Sequence, residues 1–215
     1  MTVSTIELAP SHRERKKQAT RRAIHLAAID LVEQHGLSGA TVEAISEKAG
    51  VAPRTFWAYY SSKEEAVVDH DPLRPEVVRL ELLARPAEEE PLASLQAVLE
   101  EDAARRSADD KERLRRFDVI RGDPHLVSTL AASFEQIERA LVSAVAERTG
   151  LDPAVDLYPG VVVAAACGAC RVAYFRWSAH RGKESLPALI HDAFAQLATG
   201  LGPPPRRKAA ARGRR

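Results

Sequence analysis

Between Thr41 and Lys63 lie the side chains of this 215-residue chain best suited to sequence-dependent contact with a polyanion. Arg54 carries a planar fork of donors that can pair bidentately with a guanine edge. Thr55, Trp57 and Tyr59 offer donors for phosphate oxygens and apolar surface for a thymine methyl. Thr41 and Lys63 flank them at helix starts, where they would position a partner rather than discriminate its sequence. Catalytic chemistry is not written in the same way. His125, His180 and His191 are scattered, with no nucleophile spaced to use them, and no further Cys or His completes a tetrahedral set around Cys167 and Cys170. The sequence therefore implies no enzyme, no metal site and no cofactor.

The elements that must position these groups are two short helices. In TVEAISEKAG, Val42, Ile45 and Ala49 recur at helical spacing behind Thr41, whose hydroxyl suits an N-cap. Gly50 ends that helix, because glycine enters the left-handed region at little cost. In VAPRTFWAYYSSK, Pro53 suits a first helical position and Ala52 would be the cap, without a capping oxygen. Phe56 and Tyr60, four apart, point inward, while Thr55 and Tyr59 share another face flanked by Arg54 and Ala58, and that outward face is the one that would read DNA. Such a pair is how a helix-turn-helix reader of the major groove looks. Ahead of it, Ala23, Ile24, Ala27, Ala28, Leu31 and Val32 form an apolar stripe that ends at Gly36 and packs the reader. Arg15, Lys16 and Lys17 belong to a basic run from Arg13 to Arg22 assigned to phosphate or minor-groove contact.

The segment from about Arg15 to Val68, with T-V-E-x-I-S-E-K-A-G-V-A-P-R-T-F-W-x-Y-Y-x-S-K-E in it, resembles the DNA-binding domain of TetR-family transcriptional regulators. Two departures stand out. Ala52 occupies a position where the family often has a capping serine, and Tyr60 one where it often has phenylalanine. The resemblance implies a homodimer held by the last two long helices, a double-stranded operator as partner, and regulation by a small molecule.

Composition supports an all-α chain: glycine is scarce at 11, aromatics are 5%, and prolines fall mostly between periodic segments. The net charge of +1 conceals a partition, with residues 1–63 at +3, 64–200 at −8 and 201–215 at +6. Local positive potential, rather than the total, is what meets phosphates. The first ten residues lack a secretory pattern, and the longest apolar run, Val161 to Cys170, falls short of the ~20 residues a spanning helix needs, so a cytoplasmic protein with no membrane role is expected.

The expected organisation is an arm at 1–12, a three-helix helix-turn-helix domain at 13–70, a larger helical regulatory and dimerisation domain at 71–200, and a basic tail at 201–215, with a hinge at 69–76. Helices are expected near 76–84, 91–107, 109–121, 125–149, 154–181 and 186–200. Val161 to Tyr174 is apolar almost all round and demands cover on both sides. With Leu186, Leu189, Ile190, Phe194 and Leu197 it is expected to form a four-helix interface with a second copy. The stretches 114–126 and 152–177 resemble the C-terminal domain of an actinobacterial subset that includes regulators near mycofactocin loci. Some of these respond to acyl-CoA thioesters, which implies a lipophilic pocket lined by Phe117, Ile120, Phe134, Ile137, Val163, Cys167 and Tyr174, with Arg116 or Arg121 for an anionic head group. Two alternatives compete: a thiol redox sensor acting through Cys167 and Cys170, and a DNA-packaging protein that responds to no ligand.

Overall fold

The computed structural model describes residues 11–69, 74–105 and 110–201. Most of the expected arm, the centre of the expected hinge and all but the first residue of the basic tail lie outside that range. Among the described residues there are ten helices and no strand.

The first compact unit contains α1 (His12–Gly39), α2 (Val42–Lys48), α3 (Pro53–Trp57) and α4 (Lys63–Val68). Gly36, at φ 71° and ψ 170°, breaks α1 before a final turn, as its position behind the apolar stripe predicts. Thr41 caps α2 through a bond from the Ala44 amide at 3.2 Å. Gly50, at φ 68°, then ends it: the amides of Gly50 and Val51 return to the carbonyls of Glu47 and Ser46. Ala52 gives α3 no side-chain cap. Ser62 caps α4 through the Glu65 amide, and the Glu65 carboxylate reaches back to the Ser61 amide, a reciprocal arrangement close to a capping box.

The unit does not end with α4. It also takes in α7 (Asp110–Arg121) and the part of α8 (Pro124–Thr149) up to Ile137. Ile120 and Leu126 are buried in one core with Ile24, Ala28, Ile29, Ile45, Phe56 and Val67. The division expected near residue 70 is thus drawn differently, because two apolar side chains far along the sequence complete the core around α1.

The second unit contains α5 (Arg74–Leu83) from Pro75 onward, α6 (Pro91–Arg105), α8 beyond Ile137, α9 (Leu157–Ala179) and α10 (Leu186–Ala198). Helix α10 packs against α9 and α6, burying Leu95, Val98, Trp177, Leu186, Ile190 and Phe194. Arg148 of α8 gathers the end of α5 and the following loop: its guanidinium donates to the carbonyls of Leu82, Arg85, Pro86 and Glu89 and to the Ser94 hydroxyl. Glu89 in that loop is fixed as well, since it accepts from Arg85 and Ser94 and its carboxyl is lowered to about 2, chiefly by the Arg85 bond.

Helix α9 shows why its sequence is apolar all round. Val163, Ala166, Cys170, Ala173 and Trp177 are buried in the unit, while Leu157, Val161, Val172 and Phe175 form an exposed stripe on another face. Leu186, Leu189, Ile190 and Phe194 of α10 are instead buried within the chain, so the expectation that they meet a second copy is corrected. By length and composition α9 is also long and apolar enough to cross a membrane, which the ten-residue run alone did not reveal.

Candidate nucleic-acid interface

On α3 the inward anchors are Phe56, fully buried, and Tyr60 just beyond the helix, 4% exposed. The helical repeat then turns Pro53, Arg54, Trp57 and Ala58 outward, with Thr55 and Tyr59 half-buried between the faces. Trp57 is 55% exposed although one edge meets Phe56 in a T-shaped contact at 5.2 Å. Half of its indole therefore remains available to a partner. Among the described residues Arg54 takes part in no salt bridge, so its guanidinium enters a complex without breaking an internal pair.

Thr41 is exposed, and its oxygen is used as an acceptor by Ala44, which leaves its O–H able to donate outward. Lys63 differs from the sequence expectation. Its ammonium donates to the carbonyls of Leu37 at 2.6 Å and Ala40 at 3.0 Å, tying the end of α1 to the start of α4 and leaving one N–H of three. Arg15, Lys16 and Lys17 are exposed on the first turns of α1. The basic run divides after them: Arg21 pairs with Asp69 at 2.9 Å and Arg22 with Glu112 at 2.7 Å, both within the unit.

Behind the interface sits a buried polar cluster that periodicity did not single out. His25, 1% exposed, lies with Nδ1 2.8 Å from the Ala66 carbonyl, a geometry that places the proton on Nδ1. Burial pushes its pKa down, against the opposing influence of Asp69, the Ala66 contact and Glu112. The Tyr60 hydroxyl donates to Asp69 Oδ1 at 2.7 Å, and burial followed by the Asp69 charge pushes the phenol's pKa up. Burial alone would raise the Asp69 carboxyl, but His25, the Tyr60 bond, Arg21 and Arg116 together hold it below the usual range. The available signal was Tyr60 itself, since a phenol in a core position must find a partner for its O–H.

The residues expected to line an effector pocket fall in both units. Phe117, Ile120, Arg121, Phe134 and Ile137 belong to the first, and Val163, Cys167 and Tyr174 to the second. Ile120 is part of the core around α1, and Arg121 is exposed and paired with Asp118 at 3.0 Å. A groove of about 320 Å³ in the first unit is lined by Val32, Glu33, Gly36, Leu37, Asp118, Val119, Gly122 and Asp123, whose carboxylates have the wrong sign for an anionic head group. Cys167 is half-buried and Cys170 buried, and neither forms a disulfide among the described residues. Burial, with Glu138 nearby, raises the Cys167 thiol to about 12, so almost none of it is the thiolate that redox chemistry needs.

Comparison with known proteins gives two family matches. Residues 24–67 match the model described as bacterial regulatory proteins, tetR family, and residues 89–202 the model described as MftR C-terminal domain. The HTH-type transcriptional regulator TcmR of Streptomyces glaucescens is 30% identical over 174 residues, covering 78% of this chain and 77% of that protein. Among solved structures, FadR of Thermus thermophilus, a TetR-family repressor in complex with lauroyl-CoA, superposes with a TM-score of 0.53 at 21% identity, over 90% of this chain and all of that one. The SmeT–triclosan complex does so with a TM-score of 0.58 at 17% identity, over 85% and 91%. SmeT is the repressor of the Stenotrophomonas maltophilia multidrug efflux pump SmeDEF. At these identities the two structures speak for the fold.

Proposed function

The chain belongs to the TetR family of bacterial transcriptional regulators, and from that premise we propose that it is a cytoplasmic homodimeric repressor that binds a pseudo-palindromic operator and releases it on binding a lipophilic ligand. The observation that carries this reading is the division of α3, with Phe56 and Tyr60 anchored in the core and Arg54 and Trp57 presented outward. A helix so oriented offers a bidentate donor to base edges while neighbouring side chains and Thr41 meet phosphates. The exposed stripe Leu157, Val161, Val172 and Phe175 supports the second copy, because a continuous apolar face of that length is stable in water only when covered. Acyl-CoA thioesters are the favoured effector class, on the strength of the MftR-type C-terminal match and the lauroyl-CoA held by FadR. Cys167 and Tyr174, half-buried on α9, are the side chains proposed to sense the acyl chain.

The test is selection from a random-core duplex library followed by titration. A selected duplex should be preferred over scrambled DNA by more than roughly 10³, which a packaging protein would not achieve. Arg54→Ala should relax discrimination at one base position by about 1–3 kcal/mol while leaving nonspecific affinity largely intact. Equal loss on every sequence would overturn the role given to Arg54. Lauroyl-CoA should weaken the complex, and binding of the duplex should weaken lauroyl-CoA by the same factor. If thioesters of no chain length alter operator affinity, that effector class is refuted and the DNA-binding reading stands.

A further inference from the structure

Asp69 closes α4 in the left-handed region, at φ 48° and ψ 52°, a conformation that Asp tolerates better than most side chains. Its backbone amide returns to the Glu65 carbonyl, so the carboxylate is fixed to the helix end. There Oδ1 accepts from the Tyr60 hydroxyl at 2.7 Å and from Arg21 Nε at 2.9 Å. The Arg21 guanidinium also lies over the Tyr60 ring, 4.9 Å from its centroid. One oxygen thus joins α1, the residue three beyond α3, and the cap of α4. Phenylalanine would fill the same ring space at position 60 and keep the guanidinium over its face, but would lose the hydrogen bond to Asp69.

Apolar packing of Phe56 keeps α3 in the core, but dispersion is non-directional and changes little with a small rotation of the helix. Two hydrogen bonds to a fixed oxygen do not share that tolerance, since they weaken steeply with angle. We infer that Asp69 is a positioning residue for DNA recognition, its carboxylate fixing Tyr60 and Arg21 so that the direction in which α3 presents Arg54 is set at this joint. This inference rests on the proposed function. It adds a determinant of specificity that touches no base.

The experiment compares Tyr60→Phe, Asp69→Asn and the double variant with the wild type on a duplex selected by the wild type and on its scrambled counterpart. Titration at saturating protein fixes the active fraction, so that affinities refer to folded chains. Each single substitution should lower affinity for the selected duplex about tenfold, about 1.4 kcal/mol, with the double variant losing little more than either alone. Discrimination over scrambled DNA should fall in parallel, while the slope of log affinity against log salt stays unchanged because the same phosphates are still neutralised. Should Tyr60→Phe not fold, Asp69→Asn and Arg21→Lys carry the same comparison. Unchanged affinity and discrimination in variants that only melt earlier would overturn the inference, and so would additive losses. A wild type that selects no duplex would overturn the DNA-recognition reading itself, before any variant is compared.

Discussion

Lys63→Met separates two tasks that the same ammonium could perform. In the folded chain the group donates to the carbonyls of Leu37 and Ala40, residues 7% and 0% exposed at the end of α1. Methionine keeps most of the aliphatic stem and removes only the donors. Hydrogen bonds to a charged group contribute about 1.5–3 kcal/mol each, and water can reach part of this half-buried site, so a net loss of about 2 kcal/mol is expected. For a chain of this size that corresponds to a melting temperature lower by about 4–8 °C. The assay pairs thermal unfolding with a salt titration of operator binding. A capping lysine predicts lower stability and an unchanged salt slope. A phosphate-binding lysine predicts the reverse, with the slope reduced by about 0.9 for each phosphate no longer neutralised. An unaltered melting temperature with a shallower slope would refute the capping argument and restore the role read from sequence.

Two further substitutions test other parts of the structure. Val172→Arg places a charge in the exposed apolar stripe of α9 and should yield monomers by sedimentation, with operator affinity lost as well; a variant that still sediments as a dimer would move the interface elsewhere. His25 gives a pH test. Its folded pKa lies below the ordinary 6.5, so the unfolded chain takes up the proton first, and the stability it contributes is present above about 6.5 and lost as pH falls below that value. Urea midpoints at pH 7.5 and 5.5 should therefore differ less in His25→Gln than in the wild type, and equal pH dependence in both would refute the assignment.

Most of the helices could be read from sequence because each carries a stripe at helical period with a proline or glycine near its boundary: Gly50, Pro53, Pro91, Pro124 and Pro187 stand at or beside observed helix ends, and Gly36 breaks α1 before its final turn. The inward side of α3 was equally plain, since Phe56 and Tyr60 fix it four residues apart, but Thr55 and Tyr59, read as the centre of the outward face, are half-buried and Trp57 is exposed in their place. What escaped was polar and long-range. Nothing in the local pattern pairs Lys63 with carbonyls 23 and 26 residues earlier, or Arg148 with carbonyls near Pro86. Periodicity shows which side of a helix is buried, but not which distant chain covers it. For the same reason the apolar side chains of α10 were read as part of an interface, when they are closed off by their own unit; α9, read as needing cover from a second copy, does keep one apolar face open within the chain.

The presence of Ile120 and Leu126 in the core around α1 limits how modular this protein is. A chimera spliced at residue 74, the natural place to exchange one DNA-reading head for another, would take α1–α4 from one parent and the two side chains that complete their core from the other. Heads borrowed from relatives should graft well only when the 111–137 stretch travels with them.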